Sequence, residues 1–459
     1  MFRKGGNMRV LAAFIAISTA IWSGTVFAAC TVPSYNTFYG IPDGYSAEDA
    51  FVGRFDYPAA PAEPLPAFMA IDFTSDWKAY LQGALDYAFE GNEAVDFDVA
   101  QNTTRDWYHA LWMHPDASGR EFLRGLTQER ASRPDQYKDG LAKEFQTWAI
   151  GFYNSFGASE FHEIWANPCD PDVSGLLFPV GTVTFKLLFT EATSADLPYL
   201  VNAPSWMAHI GRADPVVDGV QPVRVRPMQL LQVDVAVRDD DATETGWVFG
   251  TFVYSDDVVS TNPWRKLKPV GLSWGNDPTV LPGNPLSENV TDLTLAGTLF
   301  GWPERLELGW GGRMNGPADN LLSSCTSCHG TAQFPRSDDF GNFPRLAVAP
   351  AAYPQRLLDY FRNIGPGVAF DPITKFRNSS VEVPAFPLDY SLQIQSGLER
   401  ICNAARRMDP PFDTEPVPAV CVEANYLLTP MATAPISDEI LKRQELNKID
   451  WDQYEPPIR

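Results

Sequence analysis

The chain has 459 residues, of which 45% are hydrophobic, 20% charged and 13% aromatic, and it carries a net charge of −22. That apolar content excludes intrinsic disorder, and the length allows roughly three domains of ~150 residues. With 35 Lys and Arg against 57 Asp and Glu, the chain repels phosphate backbones and anionic lipid, so nucleic acid is excluded as a partner.

Residues 1–28 read as a secretory signal. Arg3, Lys4 and Arg9 give a basic start, Leu11 to Val26 a mostly apolar run, and Val26-Phe27-Ala28 fits the small-x-small cleavage rule. The run is short and no comparable stretch follows, so no membrane span is expected and the mature chain should begin near Ala29 in the periplasm or the medium. Losing those three cations takes the net charge from −22 to −25. A lipoprotein acylated at Cys30 is the alternative.

Residues 29–174 read as mostly helical. Ser75 offers a cap for a helix through Trp77, Leu81, Leu85 and Phe89, and Thr104 a cap for one containing Trp107, Leu111 and Trp112. A third helix is expected from Gly119 to about Ala131, with Phe122, Leu123 and Leu126 on one face. Leu141, Phe145, Trp148, Phe152 and Phe156 recur at three and four and predict an amphipathic helix. Residues 175–309 change character. Thr182 to Phe189, Leu230 to Arg238, Gly246 to Tyr254 and Leu267 to Trp274 are rich in β-branched and aromatic residues, and Asp239-Asp240-Asp241 reads as a turn, so an antiparallel sheet or sandwich is expected. Residues 275–320, rich in Pro, Gly and Asn, read as a linker or long connection.

Cysteine usage carries the most chemistry. Of six cysteines, two form Cys325-Thr326-Ser327-Cys328-His329, the spacing of a c-type haem attachment site. Two thiols must reach the two vinyl groups of one porphyrin while the adjacent imidazole ligates the iron, and a short helical turn presents all three together. A zinc site would need two further ligands that the neighbouring sequence lacks. A redox disulfide would sit in a βαβ pattern that is absent. Cys30, Cys169, Cys402 and Cys421 form an even set suited to an oxidising compartment. They allow three connectivities, of which the local pair Cys402 with Cys421, and hence Cys30 with Cys169, is the expected one.

From residue 310 onward the chain resembles a monohaem class I cytochrome c, most specifically over Cys325 to Gly330. The resemblance implies an all-α haem domain over residues 310–459 and one covalent haem c. Gly341-Asn342-Phe343-Pro344-Arg345-Leu346 is similar to the family's Gly-Pro-x-Leu loop, which implies that the Pro344 carbonyl accepts the His329 N–H. Met431, followed by a capped helix from Ser437 to Trp451, is implied as the second axial ligand to iron. Met408 and a histidine from the N-terminal region are the alternatives. Further helices are expected near Pro354 to Asn363 and Tyr390 to Arg407.

The expected architecture is therefore α+β and multidomain, with N-terminal helices packed on an antiparallel sheet or sandwich, followed by an all-α class I cytochrome c-like haem domain. Asp106, His109, His114 and Glu121, with His162 and His209 beyond them, read as partly buried structural groups or as a second site. Motifs of hydrolases and NTPases are absent. The first functional expectation is a periplasmic or secreted electron carrier whose redox partner presents a basic docking patch to this acidic chain. The second is a c-type haem oxidoreductase, peroxidase- or oxidase-like, with its substrate pocket between the haem and the N-terminal region.

Overall fold

A computed structural model describes residues 30–116, 119–211, 223–302, 308–337, 358–375 and 381–426. The signal segment, Pro344, Met431 and the helix expected from Ser437 lie outside the described residues. So does most of the helix expected near Pro354, of which residues 358–360 are helical.

The first regular element is α1 (Trp77–Phe89). Its cap is Asp76, one residue later than Ser75, with a carboxylate that accepts the Ala79 N–H at 3.1 Å. Tyr80, Leu81, Ala84, Leu85 and Ala88 make its buried face. The other helices expected before residue 156 do not form. Residues 104–112 are irregular, with Trp112 at φ 57°. Residues 119–126 are turns with Gly125 at φ 68°, followed by β1 (Thr127–Ala131). The aromatic stripe from Phe145 to Tyr153 is β2 (Gln146–Tyr153), every residue of which is buried. A strand covered on both faces is apolar throughout, and such a run contains three- and four-residue spacings by accident. The helix α2 (Ser155–Ile164) follows, with its N terminus closed by the Asn154 side chain.

The expected strands form: β3 (Val183–Thr190), β5 (Val223–Arg238), β6 (Trp247–Tyr254) and β7 (Leu267–Ser273), joined by β4 (Ser205–Gly211) and β8 (Asn289–Thr291). They make one eight-stranded antiparallel sheet of order β1-β2-β3-β5-β6-β7-β8, with β4 paired to the first half of β5. The sheet is single, not a sandwich, and both faces are covered. Ile150, Leu187, Val233 and Phe252 share one face with Phe152, Phe185, Val235 and Gly250. On this side α1 packs over β3 and β7, and the Gly250 Cα lies so near Leu81 that a Cβ would come within 2.4 Å of its methyl. Each Val, Leu or Phe buried here contributes about 1.5–3 kcal/mol.

The other face receives the C-terminal part of the chain. This corrects the expected all-α cytochrome domain. Among the described residues after 310 the helices are α4 (Cys325–Gly330), α5 (Leu392–Arg407) and α6 (Ala419–Glu423), interleaved with the short strands β9 (Gln333–Phe334), β10 (Ile373–Lys375), β11 (Glu382–Pro384) and β12 (Phe386–Pro387). A second core on this face joins Trp112, Tyr153 and Phe161 with Trp247 and Phe249, and with Phe334, Leu398 and Ile401. The connection expected as a linker is also structured: it supplies β8 and the helix α3 (Thr294–Thr298). Arg313 lies fully buried within it, its guanidinium donating to the carbonyls of Asn276, Asp277 and Val280.

Disulfides join Cys30 to Cys169 and Cys402 to Cys421, as expected, while Cys325 and Cys328 remain thiols. The Cys30 sulfur is thus engaged, which overturns the lipoprotein alternative. Disulfides place the chain in an oxidising compartment. Among the described residues no helix is long and apolar enough to cross a membrane.

His109 and His114 are buried. Burial, reinforced by the Arg120 charge, holds both below the ordinary value of 6.5, His114 at about 3. Between pH 6.5 and about 3 the unfolded chain binds the protons that the folded chain refuses. Their contribution is therefore fully present above pH 6.5 and is lost as the pH falls, by up to about 1.4 kcal/mol per pH unit for each histidine. Buried Glu121 and Asp234, both raised, work in the opposite direction. Between pH 7 and pH 5 the wild type should lose more of its urea midpoint, or gain less, than His114→Asn does; identical pH dependence in the two proteins would refute the assignment.

Candidate functional site

The Cys325-Thr326-Ser327-Cys328-His329 segment, with Gly330, forms the six-residue α4, which is closed reciprocally. Ser324 Oγ accepts the Ser327 N–H at 3.1 Å and Ser327 Oγ accepts the Ser324 N–H at 3.0 Å. Ser323 and Thr326 tie the helix to its surroundings through Tyr360 Oη and Ser273 Oγ, each at 2.7 Å. So fixed, α4 lies on β6.

The imidazole of His329 has one nitrogen committed. Nδ1 lies 2.9 Å from the Tyr390 carbonyl oxygen, which only accepts, so Nδ1 carries the proton and Nε2 keeps its lone pair. Burial lowers the pKa of His329 to about 4, which keeps the ring neutral and able to ligate a metal. The Phe249 ring packs 4.9 Å away. In the structure the carbonyl that orients His329 belongs to Tyr390; Pro344, the expected acceptor, lies outside the described residues. Burial raises both thiols, Cys328 to about 12 and Cys325 well above its ordinary value, so both are protonated. Cys325, Cys328 and His329 lie deep in the fold yet each retains some accessible surface.

A row of polar groups on the sheet faces the motif. Gly151, Lys186, Asp234, Thr251 and Gly271 are successive register partners across β2, β3, β5, β6 and β7, so they share one face. The terminal glycines let covering groups approach: a Cβ at Gly151 would meet the Gln393 side chain and one at Gly271 would meet Met314. Between them, Thr251 Oγ1 donates to Asp234 at 2.9 Å and lies 4.0 Å from Cys325 Sγ. Gln232 Nε2 donates to Asp234 at 2.7 Å and to Asp319 at 3.0 Å, bridging two carboxylates. Burial and the Asp319 charge raise Asp234 well above the ordinary carboxylate range. Burial disfavours the Lys186 ammonium, but Glu129, 3.8 Å away, with Asp234 and Asp319 outweighs it, and Lys186 is held charged.

The first half of the chain places Asp319. Arg130 donates to the Ala318 carbonyl and Gln136 to the Pro317 carbonyl, both at 2.7 Å. Lys186, Asp234 and Asp319 were not singled out in the sequence. The available signal was a lone charge centred in each of two apolar strands, at Lys186 in Val183 to Phe189 and at Asp234 in Leu230 to Val237.

The remaining candidates are structural. His109 Nδ1 accepts the Arg54 N–H at 3.0 Å among Phe51, Phe55 and Phe152. Glu121 accepts the N–H groups of Leu123 and His209, and Asp106 pairs with Arg54. His162 is exposed. Met408 caps α5 with 70% of its surface exposed, and Met431 lies outside the described residues. Comparison of the chain with protein-family models, with curated proteins and with solved structures returns no match.

Gln232→Leu should destabilise the fold by about 1–3 kcal/mol. The loss should be larger at pH 8 than at pH 5, because acid lets one of the two unbridged carboxyls hold a proton. Equal losses at both pH values would show that Gln232 does not mediate the pair.

Proposed function

We propose that the protein is a periplasmic or secreted c-type haem oxidoreductase acting on a small polar substrate held between the motif and the sheet. The observation that carries this reading is the register row Lys186-Asp234-Thr251 beside the two free thiols and His329. The donor set fits a haem c: two protonated thiols on one short helix, a neutral imidazole whose Nε2 is available, and accessible surface beside all three. Cys325 and Cys328 would each add an S–H across one porphyrin vinyl group, and His329 Nε2 would ligate the iron. When bound, the haem supplies one-electron redox chemistry at iron.

The chain's own residues supply the rest. Tyr390 fixes the imidazole through its carbonyl. Lys186 presents a fixed N–H donor to a small polar substrate. Asp234, raised by burial and by Asp319, exchanges a proton at its carboxylate, with Gln232 and Thr251 holding the acceptor lone pairs in place. The sheet and α5 exclude bulk water, which strengthens each of these interactions. A redox partner with a basic docking patch suits a chain of charge −22. The electron-carrier reading requires a second axial ligand, for which Met431 is the sequence candidate; the polar row gives the carrier no role.

Two measurements test the reading. Peptide mapping of mature protein should find one haem on the fragment containing Cys325 and Cys328, absent in Cys328→Ala. Carbon monoxide should then shift the reduced visible spectrum; a spectrum indifferent to it means that both axial positions are filled and favours the carrier. In the oxidoreductase, Asp234→Asn should slow hydrogen peroxide reduction with a one-electron donor dye by roughly 10²-fold and remove one limb of the pH profile.

A further inference from the structure

The proximal side of His329 is built around a two-residue turn. Asp389 and Tyr390 have φ of 40° and 67°, the left-handed region that non-glycine residues adopt only when the surroundings hold them there. The turn achieves two contacts at once. Tyr390 gives its carbonyl to His329, and the Asp389 carboxylate accepts the indole N–H of Trp247 at 3.2 Å. Asp389 is itself buried and also accepts the Phe178 N–H at 2.9 Å. Trp247 is 2% exposed and stands next to Phe249, the ring packed on His329.

From there aromatic rings run outward in contact. The centroid steps are 4.9 Å from His329 to Phe249, 6.2 Å to Trp247, 5.8 Å to Phe178, 5.9 Å to Phe161 and 5.2 Å to Tyr57. Tyr57 is half-buried on the first part of the chain, near a surface groove of about 620 Å³ lined by Arg54, Asp56 and Asp106. Within this run Trp247 and Tyr57 are the oxidisable rings, and Trp247 is the one with a carboxylate on its N–H.

We propose that Trp247 is a redox-active residue that passes single electrons between a donor at Tyr57 and the haem side of His329, with Asp389 as its proton acceptor. The inference rests on the haem reading above. A hydroperoxide would be the oxidant, taking two electrons and two protons to give an alcohol and water, or two waters from hydrogen peroxide, so the relay would run twice per turnover. In each passage one electron would leave the indole toward the haem side of His329, the Nε1 proton would move to Asp389 Oδ1, and a neutral indolyl radical would remain. A one-electron donor at the surface returns an electron through Tyr57, and Asp389 returns the proton. Burial raises the Asp389 carboxyl, so the proton is held close by until the electron arrives.

The test is to mix haem-loaded protein with hydrogen peroxide, freeze it and record its electron paramagnetic resonance. An organic radical signal is expected that narrows in protein carrying ring-deuterated tryptophan and is lost in Trp247→Phe, with the covalent haem and reduced spectrum unchanged. Asp389→Asn, which keeps an acceptor for the indole N–H but takes no proton, should lose most of the signal. Should Trp247→Phe fail to fold, peptide mapping of peroxide-treated wild type decides the matter. Oxidation at Trp247 ahead of buried Trp107 and Trp206 supports the relay, and oxidation spread evenly among them overturns it. A radical that persists in Trp247→Phe, or one that responds only to labelled tyrosine, overturns the relay and leaves the haem reading standing. Absence of haem on the Cys325–His329 fragment removes both.

Discussion

An ammonium group in the middle of a sheet is tolerated only where carboxylates replace the water it has lost. Lys186 is held in this way by Glu129 two strands away on β1, Asp234 directly opposite and Asp319 from a loop. The requirement propagates outward. Asp319 must be delivered, so Arg130 and Gln136 grip the backbone of its loop; Asp234 and Asp319 must coexist, so Gln232 donates to both. Gly151 and Gly271 must lack side chains so that Gln393 and Met314 can close over the row. Behind Lys186, Asp234 and Thr251 the same strands present Phe185, Leu187, Val233, Val235 and Phe252, which pack as an ordinary core.

The parts of this architecture that were legible in the sequence are those where a single local rule acts alone. Four strands were visible because β-branched residues cluster between turn signals, and α1 and α5 because their apolar residues keep helical spacing beside a capping Asp76 or Ser391. The strand β2 was illegible for a physical reason: burial on both faces erases the two-residue alternation. Residues 104–126 misled because their aromatic spacing fits a helix, while the positive φ values at Trp112, Asp116 and Gly125 follow from tertiary contacts. At the site, Cys325, Cys328 and His329 were legible because their chemistry demands adjacency in sequence. Lys186, Asp234, Thr251 and Asp319 are brought together only by strand register, which no local spacing records. The resemblance to a class I cytochrome c was most specific over one hexapeptide, and the all-α fold it implied does not form around it.

The six cysteines divide into two kinds through their surroundings. Four meet in pairs within or against the second core, where Cys30 reaches Cys169 beyond α2 and Cys402 within α5 reaches Cys421. The other two sit one turn apart on α4, Cys325 beside Thr251, Met314 and Asn315, with no third cysteine in reach. Their protonated state keeps them slow to oxidise, since the thiolate is the reactive form. The fold therefore separates the sulfurs that hold the chain together from the sulfurs that a prosthetic group would use.

The second core has a consequence for how such a protein is assembled. It draws Trp112 and Phe161 from the first part of the chain, Trp247 and Phe249 from the sheet, and Leu398 and Ile401 from the last third. No single cut leaves either fragment with a complete set of neighbours. Cleavage after residue 309 would strip α4 of the strand it rests on and expose a wall of aromatic rings to water. The helix α4 cannot be lifted out as a module, because the strand it rests on and the rings around it belong to the rest of the chain.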